Sequence, residues 1–159
     1  MEKNYDFIAI GDITTDEFIE LKKENAHVSK SQETGREQVC MNFGDKLEYN
    51  GAVNVPAVGN SPNASVCAHR LGLKSALATN YGGDENGDEI ERQLKNERVD
   101  LTFAIRHSNK ASNHHYVLRL GAERTILVKH EECPYTIPDL GEPKWLYFSS
   151  VGENSLPYH

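Results

Sequence analysis

The chain has little of what would mark it as secreted, membrane-bound or nucleic-acid-binding. Three cysteines, Cys40, Cys67 and Cys133, are an odd number with no pair at metal or redox spacing. That excludes a disulfide scaffold and points to a reducing, cytoplasmic setting. In that setting the sequon at Asn63-Ala64-Ser65 is accidental. There is no apolar run long enough to span a bilayer, and the first one, residues 7–10, is too short for a signal peptide. Basic charge is also short: 17 Lys and Arg stand against 24 Asp and Glu, a net charge of -7. A broad nucleic-acid or membrane surface is therefore not expected, although one local anion pocket remains compatible. No G-x-x-x-x-G-K-[ST] phosphate loop occurs, and no G-x-G-x-x-G follows the first apolar run. A compact Ser/His/Asp or Cys/His arrangement is missing as well, so hydrolase chemistry has no positive support.

What is present suits one moderate core in 159 residues. Short apolar runs at 7–10, 75–79, 101–105 and 145–148 read as buried strands. Between them lie two helical patterns. In the first, Ala64, Cys67, Ala68 and Leu71 share one face and Gly72 ends the helix. In the second, over 86–98, Ile90 and Leu94 face inward, with acids early and bases late to match the helix dipole. Strand alternating with helix predicts an α/β fold with a mostly parallel sheet and crossover helices. Two polar hairpins are expected beside it, 37–43 with 46–50 around Gly44-Asp45, and 113–120 with 123–130 around Gly121-Ala122. Residues 22–36 read as a surface loop.

The stretch VGNSPNAS, residues 58–65, carries more turn polarity than one helix start needs. Ser61 is the expected N-cap, and Pro62 suits the first helical position. Gly59 permits close approach of another molecule, and Asn60 and Asn63 offer the donors and acceptors that a polyhydroxylated ligand requires. The same residues also suit a well-capped helix with solvated asparagines. Asp12 and Asp16 follow the first strand, where ligands of open parallel sheets bind. A carboxylate there can accept bonds from two neighbouring hydroxyls, or serve as a turn residue. Gly82, Gly83, Asp84 and Gly87 suit either a ligand crevice or a strand-to-helix turn. Zinc at His114, His115, His130 and Cys133 is disfavoured, because adjacent strand residues point to opposite faces.

Together these residues resemble the N-terminal part of the ribokinase-like, pfkB-type carbohydrate kinases. Gly59, Asn63, Ser65, Gly72 and Gly82 approximate the first family signature. GGDENG (82–87), Leu94 with ERVD (97–100), and GAERTILV (121–128) add to it. The similarity runs from about Phe7 to Phe148. Two positions depart from the family pattern: Val58 replaces the first of a glycine pair that acts as a lid hinge, and Ser61 stands where glycine, alanine or proline is usual.

The resemblance implies a ribokinase-like three-layer fold, of which residues 1–159 form the N-terminal portion of a single domain. Its small β lid would comprise segments 17–22, 37–50 and 113–130. It further implies transfer of the ATP γ-phosphoryl group to a sugar or nucleoside hydroxyl. Asp16 would hold vicinal hydroxyls, Asn60 and Asn63 would add hydrogen bonds, and Gly59 would allow close approach. Asn113, His115 and Glu153 are further candidates for lid or pocket contacts. The family's G-A-G-D base, anion hole and nucleotide site belong to a C-terminal half that nothing here matches. The expectation is therefore a truncated chain with no catalytic residue and no metal site of its own, inactive alone. ATP and Mg²⁺ would be bound mainly by the missing half. A homodimer through the lid is a further expectation. The alternatives are a non-catalytic sugar- or nucleoside-binding module, and a structural or dimerisation lobe.

Overall fold

The computed structural model describes residues 4–136, 138–149, 151–153 and 155. They form two compact units, one of Met1–Thr15, Pro56–His114 and Lys129–His159, the other of Asp16–Val55 and His115–Val128.

The first unit is built on a four-stranded sheet ordered β10-β1-β6-β7, from β1 (Phe7–Ile10), β6 (Ser75–Gly82), β7 (Ala104–His107) and β10 (Trp145–Phe148). Every pairing is parallel, with Phe7 opposite Ser75 and Trp145, and Thr79 opposite Ala104. Successive residues feed opposite faces, as a pleat requires. Ala9 and Leu77 join Ile13, Tyr81, Ile90, Leu94 and Val99 on one face. Ile8, Ala76 and Ala78 join Tyr5 and Phe103 on the other. Burial on both faces explains why β1 and β6 read as unbroken apolar runs, whereas β10, expected to be buried, lies at the sheet edge with all four residues exposed. The third run is displaced from its expected place: β7 begins at Ala104 instead of Leu101. Asp100 Oδ1 accepts the Thr102 N–H at 2.8 Å and the Thr102 hydroxyl at 2.7 Å, which turns the chain before the strand.

Helix α2 (Glu85–Asn96) buries Ile90 and Leu94 as its periodicity predicts. Helix α1 (Asn60–Arg70) differs from its expected face. Ser61, Pro62, Ser65 and Ala68 are buried, whereas Cys67 is exposed and Leu71 is 77% exposed. Hydroxyls dock this helix together with small apolar contacts, Ala64 and Val66 packing on the core and Ala68 being buried. Ser65 Oγ donates to Ala76 O at 3.0 Å, and Ser75 Oγ donates back to Ser65 O at 2.9 Å. Small side chains let helix and sheet approach closely, and their hydrogen bonds offset the cost of desolvating the hydroxyls.

The second unit holds a sheet ordered β5-β2-β8-β9, from β2 (Thr14–Leu21), β5 (Tyr49–Val58), β8 (Asn113–Leu120) and β9 (Glu123–Leu127). The unit boundaries fall inside β2, β5 and β8. The hairpin at Gly121-Ala122 forms as expected, with Leu120 opposite Glu123. The hairpin expected at Gly44-Asp45 does not. Instead β4 (Glu37–Cys40) pairs antiparallel with β3 (His27–Lys30), inside the segment expected to be a loop. Val28 then faces Val39 and Lys30 faces Glu37, an apolar and an opposite-charge cross-strand pair that the other register lacks. Of the expected lid segment 37–50, only 37–40 and 49–50 are strand.

Candidate functional site

In the first unit the polar stretch at residues 58–65 forms the mouth of α1. Gly59, not Ser61, is the N-cap, with φ 128° and ψ 167° and no side-chain cap bond. Only glycine tolerates this region of backbone space, and a Cβ there would lie 2.9 Å from Asp12 O. Asn60 and Asn63, three residues apart on the first turn, are both exposed. Ser61 points inward and is fully buried. Its Oγ lies 2.8 Å from Ile10 O and 3.1 Å from Ser149 O, so it ties the carboxyl ends of β1 and β10 to the helix. Pro62 sits within the first turn, where its missing N–H leaves no bond unmade. Gly59, Asn60 and Asn63 are thus brought together, and Ser61 is the structural member of the group.

Asp12 anchors the neighbouring loops. Its Oδ2 accepts the Gly152 N–H at 2.6 Å and lies 3.7 Å from His130 Nδ1. Burial, and then the Asp12 charge, push the Tyr135 phenol well above its ordinary value. Burial also raises the Cys133 thiol. Glu153, next to Gly152, is exposed. Asn113 is committed to structure: its amide donates to Ile13 O at 3.0 Å and accepts the Glu131 N–H at 2.8 Å. The glycines at 82–87 serve a strand-to-helix turn, in which Gly82 N–H donates to Ser112 Oγ at 3.0 Å.

In the second unit Asp16 on β2 meets His115 on β8, with Oδ1 3.2 Å from Nδ1. Four residues further along both strands, Glu20 Oε2 lies 3.5 Å from Arg119 Nε. Equal steps in the same direction require β2 and β8 to run parallel here, with Asp16, Phe18 and Glu20 on one face beside His115, Val117 and Arg119. The same face borders a groove of about 240 Å³ lined by Phe18, Glu20, Arg119 and residues 50–53. Asp16 Oδ1 is buried and accepts no aligned hydrogen bond among the described residues, despite the nearby imidazole. His114 points the other way, its Nδ1 3.3 Å from Asn86 Nδ2, as strand alternation predicts.

A model of the pfkB family of carbohydrate kinases matches residues 26–156. The chain belongs to that family. The matched span begins beyond Asp16, so it bears on the mouth of α1 and not on that aspartate. Among curated protein sequences, none matches the chain. Among solved structures, ribokinase from Cryptococcus neoformans in complex with ADP is 15% identical, with a TM-score of 0.67 over 91% of this chain and 42% of that one. Arabidopsis thaliana ribokinase complexed with ribose and ATP is 16% identical, with a TM-score of 0.62 over 82% of this chain and 37% of that one. The nucleoside kinase of Methanocaldococcus jannaschii, an archaeal member of the ribokinase family, is 15% identical, with a TM-score of 0.61 over 79% and 37%. The fold is thus α/β and ribokinase-like with a mostly parallel sheet, and this pfkB-family chain spans about two fifths of those structures' length.

Proposed function

We propose that this chain supplies the acceptor-binding part of an ATP-dependent sugar kinase, whose reaction moves the γ-phosphoryl group of ATP to a sugar hydroxyl. The observation that carries the reading is that the buried Asp16 Oδ1 accepts no aligned hydrogen bond among the described residues. A buried carboxylate oxygen is costly to leave unbonded, and a ligand hydroxyl is the donor such an acceptor would take. In the other unit, Gly59, Asn60 and Asn63 are the proposed contacts, with two exposed amides beside a backbone that carries no side chain. Positioning is the main protein contribution to phosphoryl transfer, so residues of this kind are a full part of such an enzyme.

ATP and Mg²⁺ fit less well to these residues. The sequence holds no phosphate loop, and among the described residues no group of three His, Cys, Asp or Glu could hold a metal ion. ATP and Mg²⁺ are proposed to be held mainly by residues beyond these 159. A cytoplasmic location is proposed with the kinase reading. A second copy is proposed to cover the second unit, where Val28, Phe43, Tyr49, Val53, Ile126 and Leu127 are exposed.

Calorimetry with ribose, fructose and adenosine tests the reading. Binding of at least one, weakened tenfold or more by Asp16→Asn, is the expected outcome. A folded protein that binds none of them favours the interaction-lobe alternative. Phosphorylation of any of them by the 159 residues alone would overturn the assignment of the nucleotide site elsewhere.

A further inference from the structure

We propose that His115 is a positioning residue for Asp16, and that its protonation sets how strongly Asp16 accepts a ligand hydroxyl. Carbohydrate binding would then depend on pH through one imidazole. The inference rests on the reading of Asp16 as a hydroxyl acceptor.

Geometry gives the first support. Nδ1 lies 3.2 Å from Asp16 Oδ1, and the two side chains are only 14% and 21% exposed. The matching Glu20–Arg119 contact fixes both residues on one face of paired strands, so the imidazole is held beside the carboxylate by the sheet. The second support is that Oδ1 accepts no aligned hydrogen bond in the described structure. A charged donor aligned with it would take one of its two lone pairs and weaken its pull on a second donor.

The two protonation states treat that acceptor differently. An imidazolium is a charged donor and attracts the carboxylate strongly at this separation. It competes with a neutral hydroxyl for Oδ1. A neutral imidazole loses the charge and, with its proton on Nε2, presents no donor at Nδ1 and leaves Oδ1 to the ligand. Affinity for an uncharged polyhydroxylated ligand should therefore rise as pH rises through the titration of the imidazole.

Other groups on this face do not supply the same dependence. Glu20 and Arg119 oppose one another at 3.5 Å. Strand β9 sets Leu127 beside Tyr116 and Ile126 beside Val117, with Glu123 and Arg124 at its far end. Strand β5 carries no acid or base except the Tyr49 phenol. Glu17 sits on the opposite face of β2, and His27, the other imidazole of this unit, lies in the separate β3–β4 sheet.

The test is calorimetric binding of ribose, fructose and adenosine from about pH 5 to about pH 8, with wild type, His115→Gln and Asp16→Asn. It is paired with NMR titration of the His115 ring in wild type and Asp16→Asn without ligand. Wild type should bind about tenfold more weakly at the acid end, the worth of one charge-assisted bond. His115→Gln should hold the high-pH affinity throughout, and the ring midpoint should fall in Asp16→Asn. A flat wild-type profile, a pH slope that survives in His115→Gln, or an unmoved ring midpoint would each overturn the inference. Wild-type affinity in Asp16→Asn would instead sink the reading of Asp16. If no probe binds, the proposed function falls, and the ring titration alone decides whether the two residues are coupled.

Discussion

Asp84 grips Ser112 through both carboxylate oxygens. Oδ2 accepts the Ser112 N–H at 3.0 Å and Oδ1 accepts its hydroxyl at 2.7 Å. Oδ1 also takes the Gly87 N–H at 3.0 Å, which caps α2. One side chain therefore starts a helix and fastens the segment before β8. Removing it with Asp84→Ala should cost about 2–4 kcal/mol, a lost cap plus bonds to a charged group. Urea denaturation at neutral pH checks the figure.

The same carboxylate predicts acid sensitivity. Burial pushes Asp84 up, but the bonds from Ser112 and Gly87 outweigh it and hold the group below its ordinary 3.8. A depressed folded-state value means the stabilisation is complete above the unfolded value and is lost as pH falls through the folded one. The stability gap between wild type and Asp84→Asn should therefore be full at neutral pH and narrow below about pH 4. A gap of constant size across that range would show that the charge is not what holds the loop.

The two helices end alike but with different residues. In α1, Leu73 N–H bonds Ala68 O and Gly72 N–H bonds His69 O, with Gly72 at φ 90°. In α2, Val99 N–H bonds Leu94 O and Arg98 N–H bonds Lys95 O, with Arg98 at φ 57°. Both are Schellman ends, whose left-handed position favours glycine. That conformation costs a residue with a Cβ about 1–2 kcal/mol, against about 0.5–1 kcal/mol for glycine's extra freedom when unfolded. Arg98 is exposed, so Arg98→Gly should stabilise by about 0.5–1 kcal/mol, read as a higher urea midpoint. A loss of stability would mean that the Arg98 side chain holds a contact worth more than its strain.

Strain also surrounds Val58. Ala57 stands at φ 61° and Gly59 at φ 128°, so unusual backbone lies on both sides of the position where a hinge glycine was expected. Gly59→Ala should cost about 1–3 kcal/mol, with its new methyl set against Asp12 O. Ala57→Gly should be close to neutral, because relief of the left-handed alanine is offset by a lost buried methyl and a freer unfolded chain. Thermal unfolding of the two variants side by side checks the contrast.

Periodicity carried the sheet and α2 because their core contacts are apolar and alternate at 2 or 3.6 residues. Strand β1 and the pair Ile90 and Leu94 were legible for that reason, whereas β10 showed as an apolar run although its residues are exposed. Residues 27–30 were not, since four exposed residues show no burial pattern and only their pairing with 37–40 makes them a strand. The surplus polarity of Asn60 and Asn63 was visible because a cap alone did not account for it. The Asp12 bond to Gly152 joins residues 140 apart in the chain, and no local spacing reports such a contact. Asp16 was legible as a position after a strand and through the family resemblance; its approach to His115 depends on the parallel register of β2 and β8.

The docking of α1 gives the sharpest test of what periodicity misses. Ser61→Ala removes the hydroxyl that lies between Ile10 O and Ser149 O, leaving Ile10 O with its bond from the Ser149 N–H and Ser149 O without the Ser61 donor. It should cost about 1–3 kcal/mol, and Ser65→Ala should behave similarly through Ala76 O. Cys67→Ala, on the exposed face, should fall within about 0.5 kcal/mol of wild type, as should Leu71→Ala. If α1 were held by an apolar face of Ala64, Cys67, Ala68 and Leu71, the order would reverse, with Leu71→Ala the costliest and the serines near neutral. Urea midpoints of the four variants distinguish a helix bonded to its sheet from one that merely packs on it.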